Sequence, residues 1–443
     1  MRTSAENTDD RSSFPTLTTV LALAAVLAAG IVLRLVWLDD IEYKGDEAWT
    51  WHHAKAAGVT EPLSWVGMPT SAGPENPGMS LWAFLPLAWV SDDPVDMARC
   101  VACLSVVGIG VLVWFAYRWA PADEREVWLW AAALWAVNPL SVLYHRKIWP
   151  NCLFPLLVSL LLLCWYRRDR RVGAFVWGVL GASLTQINLS AGFFAAGFVL
   201  WSWLADRSRV AWKSWFAGSL LAAWPLVPWC HYILTKSTQP RLTTIKLTRL
   251  LEFKFVLRWL NEPFGFGLDH SLGDDSLDFS RQPVIAGTPT WLVALLQVTA
   301  VALALGIGWG LILRLRRERP DWRAVLFPVQ TFSGLVCTAG FWGYGLLLTL
   351  SCLPQHTHYM IICYPIALLS VVHVAFYLTQ NDREATRRAR KLLAGLVVVE
   401  LLLSTSFLSY VHVKQDIRGD YGMTLRAQRL SASRQHDALN TRR

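Results

Sequence analysis

The chain has 443 residues, of which 54% are hydrophobic and only 16% charged, with a net charge of +9. Soluble proteins carry about 25% charged residues spread along the chain, whereas here the charges sit in short runs between long apolar stretches, which excludes a soluble globular fold and points to a bilayer. The basic residues fall largely in loops beside apolar runs, so membrane topology accounts for them and nucleic acid is not expected as a partner.

In chain order, the apolar runs long enough to span, at about 20 residues each, are 17–38, 98–117, 127–144, 148–166, 172–187, 189–204, 214–234, 291–313, 324–350, 358–379 and 392–412. This predicts an all-α polytopic membrane protein with about eleven transmembrane helices. The first run lacks a small-residue cleavage site and reads as a retained span after a cytoplasmic tail at 1–16. The stretch 172–204 is one long helix or two short ones turning at Gln186, Ile187 and Asn188; the basic loops on both sides favour two passes. Loops 167–171, 205–213, 314–323 and 380–391 are rich in Lys and Arg and fall on one side, which the positive-inside rule makes cytoplasmic, together with the N-terminus.

Gly78 to Val90 is too short to span and contains Pro86, so it reads as an interfacial helix, with Asp46 to Ala57 as a second, Trp-rich one. The large extracytoplasmic loops are then 39–97 and 235–290, with small ones near 145–147 and 351–357. After 235–290, the C-terminal membrane helices occupy 291–412, and 413–443 reads as a polar, mobile tail on the outer side. Many of the 25 Trp lie near the ends of apolar runs, at headgroup level. The eight Cys lie in or beside apolar segments without recurrent zinc spacing, so neither a metal cluster nor a disulfide framework is expected.

Four polar clusters lie in the outer loops. Asp39 to Trp49 carries adjacent carboxylates, which suit a general base or a divalent cation, or equally a solvated helix start. Glu75 lies in the turn 73–78, ordinary chemistry for a helix start. Tyr144 to Asn151 includes His145, Arg146 and Lys147 at an outer turn where the topological bias disfavours cations; they hold an anion such as a lipid phosphate, or snorkel to headgroups. Pro354 to Tyr359 carries His356 and His358, suited to metal, phosphate or proton transfer, or simply to an interface. Within the membrane, Gln186, Asn188 and Ser190 serve as packing glue or as cavity lining. In loop 235–290 a basic half (Arg241, Lys246, Arg249, Lys254, Arg258) precedes an acidic patch (Asp269, Asp274, Asp275, Asp278), the pattern of a lid whose basic half faces headgroups or a carrier phosphate.

In order and placement these motifs resemble the GT-C superfamily of polytopic glycosyltransferases, particularly bacterial relatives of protein O-mannosyltransferases and of the lipid A aminoarabinose transferase. The matching stretches are Gly45-Asp46-Glu47-Ala48 after the first span, Glu75-Asn76-Pro77-Gly78-Met79-Ser80-Leu81-Trp82, Asp96-Met97-Ala98-Arg99, Tyr144 to Asn151, and His358-Tyr359 with Pro365. The resemblance implies a catalytic module at 17–234 and inverting sugar transfer from a polyprenyl-phosphate donor to a protein, lipid or glycan hydroxyl at the outer face of a cell inner membrane. It implies Asp46 as base and Glu47 and Glu75 as acceptor or metal ligands, a divalent ion being held by Asp46 and Glu47 if one is used. Arg146, Lys147, His356 and His358 would then neutralise the leaving phosphate, with His145, Asn151 and Tyr359 lining the site. Asn151 stands where several relatives have Asp, and His358 where many have Arg.

Two rivals remain at this stage: a flippase for lipid-linked sugars, which the absence of an internal repeat and the gathering of charges at one surface disfavour, and an inactive scaffold of the same fold.

Overall fold

The computed structural model describes residues 17–70, 74–236, 246–377 and 382–440. Arg241 lies outside them. Among the described residues the protein is almost wholly helical, with two short antiparallel hairpins, Val284–Ile285 with Thr288–Pro289 and Asp416–Ile417 with Gly422–Met423. All eight cysteines are free. It is a polytopic membrane protein: five helices are long and apolar enough to cross a bilayer, namely Pro94–Arg118, Leu292–Glu318, Phe332–Leu350, Thr357–Tyr377 and Arg383–Lys414.

Other apolar runs take the form of shorter or broken helices, for local reasons. Pro139, which cannot donate a backbone hydrogen bond, follows Asn138 and divides Arg125–Val137 from Pro139–Tyr144; Asn138 caps the second piece by accepting from Ser141 N–H at 3.1 Å. Pro225 separates Trp212–Ala223 from Leu226–Thr235. The stretch 172–204 forms two helices, Arg171–Ile187 and Ala191–Asp206, whose turn is fixed by Asn188 Oδ1 accepting from the Ser190 amide and hydroxyl at 2.9 and 2.7 Å. Gln186 bridges to the Ala222 carbonyl of the helix Trp212–Ala223 at 2.6 Å, which makes it packing glue. Within Phe332–Leu350 the segment Ala339–Gly345 widens to a π-helix, and Gly343 meets Gly197 so closely that a Cβ on either would approach the other's backbone to under 3 Å.

The loop 39–97 is a folded platform. The helix Gly45–Ala56 and the short helices Met79–Trp82 and Leu85–Val90 enclose a separate core of Ile41, Trp51, Ala54, Phe84 and Ala88, completed by Ile148 and Cys152 from the 145–153 turn. Lys55 ties the platform together by donating to the Ala88 carbonyl at 2.9 Å and to Asp92 at 2.6 Å.

The expectation of a mobile tail after residue 412 is overturned. Its Asp416–Met423 hairpin and the helix Leu425–Asn440 dock across both large loops. Leu425 N–H donates to the Ile41 carbonyl at 3.0 Å, the Tyr421 hydroxyl donates to the Asp40 carbonyl at 2.5 Å, and Asp275, fully buried, accepts from Arg418 at 2.8 Å. Much of the acidic patch in loop 235–290 is therefore occupied: Asp275 and Asp278 pair with Lys414 at 2.9 Å each. Within this polar stretch a few apolar side chains, Ile417, Tyr421 and Leu425, are buried, and the ion pairs add to them.

Candidate active site at the loop 39–97

Asp46 and Glu47 open the helix Gly45–Ala56, where its N-terminal dipole favours carboxylates. The helical turn sends them to different environments. Glu47 is buried and accepts from the Lys44 backbone N–H at 3.0 Å, whereas Asp46 is exposed and its carboxylate has no hydrogen-bond or ion-pair partner among the described residues. Burial, with the nearby Glu42 charge adding and Lys147 opposing, pushes the Glu47 carboxyl up to about 7. Partial desolvation also raises Asp46, against the pull of Lys44 and Lys147.

Beneath them lies a buried ion pair. Glu42 sits between Lys44 Nζ, at 2.7 Å, and Lys147 Nζ, in direct contact, and both Glu42 and Lys147 are shielded from solvent. Burial works against the charge on Lys147, but Glu42 and Glu47 outweigh it and hold the ammonium above its usual range. Lys147 also lies 5.0 Å from the centre of the Tyr144 ring. On the open side Lys44 reaches Asp420 of the docked tail, 3.3 Å from its carboxylate.

A pH dependence follows from Glu47. Its carboxyl is raised from an ordinary 4.5 to about 7 on folding, so the folded state holds the proton more tightly and stability falls as pH rises between those values. Glu47→Gln is expected to flatten the thermal midpoint between pH 5 and pH 8 and to lie above wild type at the alkaline end; a wild-type slope of opposite sign would overturn the assignment.

The late motif reaches the same neighbourhood. His358 stands edge-on to Trp149 with ring centres 4.7 Å apart, His356 stacks parallel to His358 at 5.2 Å, and Tyr359 meets both edge-on. Burial, and then the charges of Arg258, Lys254 and Arg249, lower His356 and keep its imidazole neutral at physiological pH. The positive charge here belongs to loop 235–290, from which Arg258 donates to the Gln355 carbonyl at 2.9 Å.

Several other expected residues have different occupations. Arg146 is buried, and its guanidinium donates to the carbonyls of Leu33 and Trp37 at 3.0 and 2.7 Å, closing off the end of the apolar helix Leu17–Leu35. His145, also buried, accepts at Nδ1 from Arg34 Nε at 3.2 Å, and Arg34 further binds the Ala136 and Trp135 carbonyls. Both motif residues thus clamp helices. Asn151 is buried and its Nδ2 has no hydrogen-bond partner among the described residues. Glu75 is buried, and its carbonyl accepts from Trp229 at 3.0 Å. Arg146→Ala should lower stability by about 3 kcal/mol, the scale of two charge-assisted hydrogen bonds, and Arg146→Lys should recover little because one ammonium on a flexible stem does not reproduce the planar fork. Thermal unfolding of the purified protein measures both.

No three His, Cys, Asp or Glu side chains among the described residues are grouped to hold a metal, and of the expected pair Asp46 is exposed while Glu47 is buried. Sequence reasoning missed Glu42 as the partner of Lys147 and missed Asp420 altogether. The turn Gly419-Asp420-Tyr421-Gly422 was the available signal for the hairpin that delivers Asp420.

No family model matches the chain, and no curated protein does either. Among solved structures it is similar to ArnT from Cupriavidus metallidurans, crystallised with undecaprenyl phosphate, at 12% identity and a TM-score of 0.49, over 90% of this chain and 76% of that one. It is also similar to an oligosaccharyltransferase from Archaeoglobus fulgidus in its apo form, at 12% identity and a TM-score of 0.37, over 87% of this chain and 56% of that one.

Proposed function

We propose that the chain transfers a sugar from a polyprenyl-phosphate donor to an acceptor hydroxyl, with inversion, at the extracytoplasmic face of a cell inner membrane. The observation that carries this reading is the state of Asp46: an exposed, unpartnered carboxylate at a helix start, raised by partial desolvation and set beside a buried Glu42–Lys147 pair. A general base needs access, a free lone pair and a proton affinity nearer neutrality, and Asp46 has all three.

In the proposed step the acceptor oxygen attacks C1 of the donor sugar while Asp46 takes the hydroxyl proton. The C1–O bond to phosphate breaks on the opposite face, and the carrier phosphate leaves with the bonding electrons. That phosphate is neutralised by Arg258 and Lys254, with neutral His356 offering a hydrogen bond, a division of labour that differs from one resting on Arg146 and Lys147. The Glu42–Lys147 pair shapes the floor beneath Asp46 and stays out of the bond changes.

The test is transfer of radiolabelled sugar from a panel of polyprenyl-phosphate sugars in membranes expressing the chain. Label is expected to pass to a lipid, protein or glycan fraction. Donor that becomes protected across vesicle membranes, with no transfer above membranes lacking the chain, would move the flippase reading ahead.

A further inference from the structure

A cavity of about 590 Å³ opens between the Gly45–Ala56 helix, the 57–66 segment and the Leu226–Thr235 helix. Trp49, His53, Glu61, Trp65, His231 and Lys236 are among its lining residues. Its rings are fixed in place before any ligand arrives. Trp49 stacks on His53 with centres 4.1 Å apart, Trp65 stands edge-on to Trp82 at 5.0 Å, and Trp82 is itself pinned by its Nε1 donating to the Ser64 carbonyl at 2.8 Å. Interfacial tryptophans that merely anchor a protein project outward, as Trp89 and Trp224 do at 64% and 67% exposure. Trp49 and Trp65 instead line a concavity alongside hydrogen-bonding side chains.

We infer that this groove is a saccharide subsite that takes a pyranoside ring of the acceptor, an inference that rests on the transferase reading. A pyranoside has an apolar C–H face that packs on an aromatic ring and an equatorial rim of hydroxyls that needs donors and acceptors, here His53, His231 and Glu61. Among the described residues the charged side chains lining the cavity, Glu61 and Lys236, are of opposite sign, which suits a neutral sugar better than the phosphate of a lipid carrier. The volume falls within the roughly 300–1,000 Å³ usual for small-molecule sites. The groove shares a helix with the proposed base. Asp46 and His53 are seven residues apart on one helix, which places them two turns apart on the same face and about 10 Å from each other along the axis. A ring bound against Trp49 and His53 would lie on the helix face that carries Asp46, about 10 Å along the axis.

Saturation-transfer NMR on the full chain in lipid nanodiscs tests this, with the methyl pyranosides of glucose, mannose and galactose as probes. At least one is expected to receive saturation at its ring C–H protons. The signal should fall about tenfold in Trp65→Ala, the equivalent of one lost stacking contact, return in Trp65→Phe, and survive excess undecaprenyl phosphate. Absence of saturation with all three probes, or an equal signal in Trp65→Ala, overturns the subsite. Displacement by undecaprenyl phosphate also overturns it, by assigning the groove to the carrier. Saturation without sugar transfer in membranes would sink the transferase reading alone and leave the saccharide site standing.

Discussion

Asp46→Asn should abolish sugar transfer, lowering the initial rate by about 10²–10⁴-fold, the range a positioned general base contributes, while leaving the protein folded. The two halves of that expectation come from the same geometry. Asp46 is exposed and unpartnered, so its replacement breaks no hydrogen bond and costs at most the loss of a favourable charge at a helix start, about 0.3–1 kcal/mol. Asparagine keeps the shape and cannot take a proton. Asp46→Glu keeps the proton acceptor but displaces it by one methylene, so a residual rate above that of Asn is expected. The assay is labelled-sugar transfer by purified wild type and variants in nanodiscs, with the thermal midpoint measured on the same samples. A folded Asn variant that retains a third of the wild-type rate would remove Asp46 from the base role and leave the exposed carboxylate as part of a solvated helix start.

The sequence made some of this legible and hid the rest, for physical reasons. The acidic stretch Asp39 to Trp49 after the first apolar run marks the region, and the resemblance singles out Asp46 and Glu47 within it; neighbours on a first helical turn need no tertiary information to be seen. Their opposite fates, one buried and one exposed, depend on the packing of the platform core and were invisible. The basic turn at 145–147 was conspicuous in the sequence, and its three consecutive polar residues have different surroundings: His145 meets Arg34, Arg146 meets two carbonyls, and Lys147 meets Glu42. Charge at an unexpected depth signals an unusual partner without saying whether that partner is substrate or protein. The docked tail was the largest surprise, since ion pairs between Asp275 and Arg418, or Lys44 and Asp420, join residues far apart in the chain and leave no periodicity to read.

The Glu42–Lys147 pair gives the second large effect, and its asymmetry is the informative part. Glu42→Gln leaves the Lys147 ammonium buried without its direct partner, and removing one member of a buried pair costs about 3–5 kcal/mol because the remaining charge is uncompensated. Lys147→Met should cost less, since Glu42 keeps Lys44 at 2.7 Å, and Lys44 is partly exposed and can adjust. The double variant Glu42→Gln, Lys147→Met removes the isolated charge and replaces the ammonium by an unbranched apolar chain, so it should be more stable than Glu42→Gln alone. Thermal unfolding midpoints of the three variants, at one pH near neutrality, decide the matter. A Lys147→Met loss as large as that of Glu42→Gln would mean that Lys147 neutralises Asp46 and Glu47 as much as Glu42, making it a direct electrostatic partner of the proposed base instead of the floor beneath it.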